Sequence, residues 1–456
     1  MNKITEYVIV ISAAATTNER RAASFLRENI KLVCGKAPEI RQDSAAPVPC
    51  EIVVGKTSRE VLDGVSFPRS REGVWEYELR LVNKRLYLTG LGVAPEVEPP
   101  YTSAYRKLDD GCVGTVLAAY HFVEDILGYQ FVYATFDAFP ENEALEMPEQ
   151  YAYSFTRAAF RRQLPQKMEG AALHFLQCSE RLDWNNQSFI IQTAAGKLIV
   201  FDGGHPEETE RLLRSLEHLA GGKKPHVSAW FFSHLHDDHY GVYRTLCENE
   251  ALRARLGVEK FYCHLLPEEF YTKLSPEARE GYAAVRRLLL ESANTVGAEV
   301  VTVQKGDVIE LDEISFEVIH VPDMAFATKM NMNDSSVVYK MTCGGQSVLF
   351  LGDAEWVCSN DLLENCRESL KSDVVQVGHH GCGNVSRECY EAIGATAYLW
   401  PIGPRFWYGE SGEGLNTHNT GVIRSRVYMK EIGVKPENVY VNMDRIISLP
   451  LPLPLA

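Results

Sequence analysis

The chain has 456 residues, of which 45% are hydrophobic and 23% charged, the balance of a globular protein with room for two domains. A formal net charge of −15 argues against a protein that tracks nucleic-acid phosphates over a broad surface. No apolar run reaches the roughly eighteen residues a membrane span needs, and eleven cysteines at no repeated spacing fit reduced thiols in a cytoplasm better than a disulfide framework.

Residues 1 to about 155 read as a small α/β domain. The start has a passing likeness to a signal peptide, but its apolar core is only residues 7–11 and Glu6 abuts it, so "YVIVIS" is read as a first strand. "TNERRAASFLRENIKLVCG" has helical apolar spacing, with a threonine–asparagine start and a glycine stop. "EIVVG" follows as a buried strand, and "WEYELRLVNKRLYLTG" as a hairpin turning at Asn83 and Lys84. "GTVLAAYHFVEDILGY" is a second helix, closed by Gly128. "FPENEALEMPEQYAYS" then thickens in Pro and Glu, which places the boundary near residues 150–168.

The second domain, residues 169–456, brings strand candidates in "ALHFLQCSE", "SFIIQTAAGKLIVFDGG", "HVSAWFFSH" and "EKFYCHL". Helices are expected between them in "PEETERLLRSLEHLAGG" and "DHYGVYRTLCENEALRARLG", a pattern that suggests two sheets with helices outside. The final "LPLPLPLA" reads as an extended tail. All but one of the 13 histidines lie beyond residue 170, which directs the search for chemistry there.

"SHLHDDH" carries H-x-H-x-D-H in His234, His236, Asp238 and His239, directly after an apolar run. At a strand end, residues i and i+2 point to one side, so His234 and His236 can grip one metal. After the turn, Asp238 and His239 can face a second. The plainer alternative is a solvated turn in which Asp238 caps the following helix. Further ligands are expected at other strand ends, and they are present. "SVLFLGDAE" delivers Asp353, suited to bridging two metals, and "DVVQVGHHGCGN" delivers His379 and His380, either of which could ligate. Imidazole with carboxylate suits zinc, with iron or manganese as alternatives.

"KLIVFDGG", "SHLHDDH", "VLFLGDAE" and "VGHHG" together resemble the metallo-β-lactamase superfamily, most closely its branch with the DNA-uptake competence protein and bacterial phosphorylcholine esterases. "MNDSSVVYKM" resembles that branch's N-D-x-S through Asn333, Asp334 and Ser336, and "NTHNTGVI" its late histidine at His418. The resemblance implies a four-layer αββα sandwich and two divalent metal ions. It also implies that Asp202 holds a ligand histidine by hydrogen bond, that Asn333 contacts substrate, and that His418 is a ligand or a substrate contact. Two departures stand out: no motif-three histidine is in place, since His264 and His320 sit off pattern, and Cys382 replaces the usual serine after "HHG". The first domain resembles the accessory α/β domain that precedes the barrel of β-hexosaminidases and α-glucuronidases, through "YVIVIS", "AASFLRENI", "EIVVG", "LYLTG" and "GTVLAAYHFVEDILGYQFV".

The expected activity is metal-assisted hydrolysis by a hydroxide shared between two metals, with Asp238 orienting the nucleophile while ligating. A phosphoester of a small or glycan-linked substrate is the preferred bond. Alternatives are a lactone, lactam or thioester, or a carbohydrate-binding protein with a structural metal site. In "PIGPRFWYGESGEG", Arg405 could meet a phosphate or carboxylate of the substrate, whereas His205 reads as a surface residue. Neither a nucleic-acid nor a membrane partner is expected. Nothing in the sequence assigns an oligomeric state.

Overall fold

A computed structural model of the chain describes residues 2–93, 113–129, 141–267, 270, 283–284, 286–289, 291, 297–323, 330–383, 385–408 and 420–455. It separates into two units, Met1–Phe160 with Tyr408–His418, and Arg161–Trp407 with Asn419–Ala456.

The first unit is built on a six-stranded sheet, in the order β2-β1-β3-β5-β4-β6 among the described residues. Its strands are β1 (Val8–Ile11), β2 (Ile40–Gln42), β3 (Glu51–Val54), β4 (Tyr77–Val82), β5 (Arg85–Gly90) and β6 (Ala152–Phe155). β1, β2, β3 and β5 run parallel, while β4 pairs antiparallel with β5 and β6. The β4–β5 hairpin turns through Asn83 and Lys84, both at positive φ, as a tight hairpin requires. The helix Thr17–Cys34 begins at the threonine that opens the expected stretch. Thr16 and Glu19 form a reciprocal capping box, and Gly35 closes the helix in the left-handed conformation. The helix expected to close at Gly128 spans Gly114–Asp125 and so stops short of it.

The second unit contains two sheets. The first holds β7 (Ala172–Phe175), β8 (Ser188–Gln192), β9 (Leu198–Asp202), β10 (His226–Phe231), β11 (Gly257–Val258), β12 (Lys260–Cys263) and β13 (Glu299–Thr302). The second holds β14 (Val308–Leu311), β15 (Ile314–His320), β16 (Val338–Cys343), β17 (Gln346–Phe350), β18 (Val374–Gln376), β19 (Ala397–Trp400) and β20 (Val439–Val441). The last strand, β21 (Ile447–Pro450), returns to the first sheet and pairs antiparallel with β7. The expected extended tail is therefore partly a sheet strand.

The first sheet has the order β13-β12-β10-β9-β8-β7-β21, and the second runs β14 to β20 in sequence order. Period-two alternation sorts their side chains. Phe189, Phe201 and Phe231 face the second sheet and pack with Phe316, Tyr339 and Phe350 in the central core. Val200, Trp230 and Phe261 point the other way, into a layer shared with Leu212, Leu216, Tyr243 and Leu246 of the flanking helices Thr209–Leu219 and Asp237–Glu248. On the far side, Tyr390 of the helix Arg387–Ile393 packs on Tyr398 of β19, with ring centroids 6.1 Å apart. The layers run helix, sheet, sheet, helix: an αββα sandwich. Each fully buried aromatic ring contributes roughly 2–3 kcal/mol to holding the sheets together.

The single helix expected after "SHLH" is broken. Asn249 leaves the helical region, and its side chain caps a separate turn, Glu250–Arg253. No helix among the described residues is long and apolar enough to cross a membrane.

Candidate metal centre

In both sheets, strands that pair in parallel end at the same edge. β9 and β10 pair in parallel in the first sheet, as do β17 and β18 in the second. Parallel neighbours release their chains at one edge, which is why α/β folds place ligands at carboxyl ends. Asp202 ends β9, His234 to His239 follow β10, Asp353 follows β17, and His379 and His380 follow β18.

These residues form two adjoining sets of ligand atoms. Asp238, His239, Asp353 and His380 make one, and His234, His236 and Asp353 the other, with the atoms of each set within 4.8 Å of one another. Asp353 is common to both. Its Oδ1 lies 3.1 Å from His239 Nε2 and 3.5 Å from His380 Nε2, while its Oδ2 lies 3.8 Å from His234 Nε2. Asp238 Oδ2 stands 3.2 Å from His380 Nε2, and His234 Nε2 stands 2.9 Å from His236 Nδ1.

The donor set fits divalent metal. Among the described residues, His239 Nε2, His380 Nε2 and Asp353 Oδ1 are buried without a hydrogen-bond partner, although buried polar atoms are almost always paired. Three such atoms aimed at one another are explained by a shared cation.

Surrounding groups fix the ligand rings. His239 Nδ1 faces Asp202 Oδ2 at 2.9 Å, which leaves Nε2 for the cluster. The same carboxylate accepts from the Ser233 backbone N–H (2.8 Å), the Ser233 hydroxyl (2.9 Å) and the Gln187 amide (2.7 Å). His380 donates from Nδ1 to the Pro401 carbonyl at 2.6 Å, again leaving Nε2 for the cluster. The Ser336 hydroxyl accepts from the Asp353 backbone N–H at 2.9 Å.

Burial disfavours charge on His234 and His236, so both imidazoles titrate below the usual value and are ready to ligate as neutral rings. Burial works the same way on His239, but Asp353, Asp202 and Asp238 outweigh it and raise its pKa well above normal. For Asp353, burial is opposed by His239, His380 and His379, which hold the carboxyl well below the usual range.

His379 belongs to neither set. It and His380 both adopt left-handed backbone conformations (φ 45° and 53°), which send the two rings apart to a centroid separation of 6.1 Å. The His380 side chain is 1% exposed; that of His379 is 24% exposed and turns its Nδ1 to Glu355 Oε1 at 2.7 Å. Asn333 donates to the same Glu355 oxygen at 2.8 Å. Arg405 lies 3.6 Å from Asp183 Oδ2 and over the Trp184 ring at 5.1 Å, so its charge is engaged within the protein. His418 lies outside the described residues.

His205, expected at the surface, is buried, with Nε2 2.8 Å from the Asn185 carbonyl oxygen. His264 and His320 are bound elsewhere, to the Val303 carbonyl and to Asp361. Asp353 does not cap the helix Trp356–Asn365; Asp334 does, by accepting from the Cys358 backbone N–H at 2.9 Å. Sequence reasoning passed over Ser233, Gln187, Asn331 and Glu355. Of these, only Ser233 and Glu355 stand inside a quoted ligand motif, which was the one available signal.

The αββα sandwich has the metallo-β-lactamase fold, and the two adjoining His/Asp sets at its strand ends are a candidate metal centre. Residues 182–393 match the Metallo-beta-lactamase superfamily model. It is 28% identical over 157 residues to ComE operon protein 3 of Bacillus subtilis (strain 168), an alignment covering 34% of this chain and 17% of that protein. The chain thus spans under a fifth of that relative's length. Among solved structures it is similar to the metallo-beta-lactamase fold protein YhfI from Bacillus subtilis, at TM-score 0.37 and 12% identity over 61% of this chain and 98% of that one. A diphosphatase of the PhnP family gives TM-score 0.34 and 15% identity, over 63% of this chain and 100% of that one.

Proposed function

We propose that the chain is a metal-dependent phosphoesterase whose substrate is small or glycan-linked, and that it works in the cytoplasm. The observation that carries this reading is Asp353, whose two carboxylate oxygens face different ligand sets and so suit it to bridge a metal pair. Two divalent cations held there, zinc with iron or manganese as alternatives, would lower the pKa of water and stabilise charge growing on phosphoryl oxygens.

The chain's own residues do the rest. Asp238, His239 and His380 would hold one cation, His234 and His236 the other, and Asp353 would serve both. Asp202 and the Pro401 carbonyl keep His239 and His380 in the tautomers that present Nε2. A net charge of −15 repels long polyanions, which supports a small substrate over DNA or RNA. The likeness of the first unit's sequence to glycosidase accessory domains supports a sugar on that substrate.

The test is kinetic, with bis(p-nitrophenyl) phosphate as substrate. Turnover by wild type and its loss in His236→Ala is the expected result. Opening of lactones without any phosphodiester turnover would replace this reading with the lactonase one.

A further inference from the structure

We infer that Glu355 is a positioning residue that turns His379 toward the open face of the three-ligand set, where His379 contacts the substrate. The inference rests on the hydrolytic reading above.

His379 has Nδ1 turned to Glu355 and Nε2 turned to the site, where Asn333 Nδ2 also approaches it at 3.3 Å. Nδ1 meets Glu355 Oε1 at 2.7 Å, and Nε2 lies 3.8 Å from Asp353 Oδ2. An oxygen lodged beside that carboxylate therefore falls within hydrogen-bond range of Nε2. His379 is the more exposed of the two adjacent histidines, and among the described residues the set it approaches has three ligands where its neighbour has four. Fewer protein ligands leave more coordination positions for substrate.

Glu355 is itself held on several sides. Asn331 Nδ2 donates to its Oε2 at 3.0 Å, and Asn333 Nδ2 to its Oε1 at 2.8 Å. Its backbone N–H donates to Asp334 Oδ1 at 3.2 Å, and the Asp334 backbone N–H donates in turn to Asn331 Oδ1 at 2.9 Å. The polar side chains of this short segment converge on the turn that carries Asp353 and Glu355. A carboxylate fixed this firmly beside a metal site, yet in neither ligand set, fits the task of orienting the ring it touches.

The test uses the metal-loaded full chain with ¹⁵N-labelled histidine. The His379 Nδ1–H resonance, assigned by its loss in His379→Gln, should persist in Glu355→Gln, whose amide oxygen still accepts, and vanish in Glu355→Ala. On bis(p-nitrophenyl) phosphate, kcat should fall about 100-fold in His379→Gln and at least about 10-fold in Glu355→Ala, with KM changing less. Glu355→Gln should recover most of the rate. Metal content should be unchanged in all three variants, whereas His380→Ala should lose metal. Loss of metal in His379→Gln would make that residue a ligand and overturn the inference, as would wild-type kcat in Glu355→Ala or the absence of the Nδ1–H signal from wild type. If wild type turns over no phosphodiester, the phosphoester reading fails, while the resonance and metal measurements still decide the role of the pair.

Discussion

His239 Nε2 stands 3.1 Å from Asp353 Oδ1, both atoms are buried, and neither has a hydrogen-bond partner among the described residues. Two complementary atoms left this way inside a protein cost free energy unless something sits between them. A shared divalent cation satisfies both. Asp353→Ala should therefore lower bound metal from about two per chain to one or fewer, because it removes the ligand that both sets share. Elemental analysis of the purified variant checks this, and full retention would remove the bridging role.

The Asp202 carboxylate accepts four hydrogen bonds, three of them on Oδ2. Asp202→Asn places an amide where three donors converge if the new nitrogen takes that position, and removes the charge that orients His239. Metal affinity should fall about 10–100-fold and stability by roughly 3 kcal/mol. Chelator competition and thermal unfolding measure the two effects separately. An unchanged affinity would mean that His239 needs no orienting carboxylate.

Gly381 has φ +77°, and a Cβ there would lie 2.4 Å from Trp400 Cζ2. The Trp400 indole N–H donates to the His380 carbonyl at 2.7 Å, so displacing the indole disturbs a ligand. Gly381→Ala should cost about 2–3 kcal/mol and reduce metal content. Gly433 has a similar φ of +79° with open space around it. Gly433→Ala should cost only about 1 kcal/mol and leave the metal alone. Equal effects from the two would contradict the close approach of Trp400.

How much of this was legible in the sequence depended on distance along the chain. His234 and His236 could be paired by strand alternation alone, and Asp353 and the histidine pair by their places after apolar runs. The choice between His379 and His380 was not legible, because both are left-handed and alternation does not apply to a turn. The Asp334 cap and the Glu355–His379 pair join segments more than twenty residues apart, which no local pattern reports. Asn249 hid its helix break inside a stretch with continuous helical spacing. The β21 strand was missed because alternating prolines look like a tail, although a sheet edge tolerates them.

His174 is fully buried on β7, with Nδ1 3.0 Å from the Ser448 hydroxyl. Burial, aided by His218, pushes its pKa down from 6.5 to about 4. A histidine depressed on folding contributes stability that is present above its unfolded pKa and lost as pH falls below it. The window here runs from 6.5 down to about 4, with about 2 kcal/mol lost by pH 5. Wild type should lose more stability between pH 7.5 and 5 than His174→Gln does, as chemical denaturation at the two pH values would show. Equal losses would indicate that His174 does not stay neutral in the folded state.

The most direct test of a dinuclear hydrolytic centre is to titrate the chelator-stripped protein with zinc while following hydrolysis of bis(p-nitrophenyl) phosphate. Turnover should stay low through the first equivalent, rise with the second and then level off, since Asp353 and both ligand sets are needed together. Full activity at one equivalent, or two tightly bound equivalents with no hydrolysis, would contradict it.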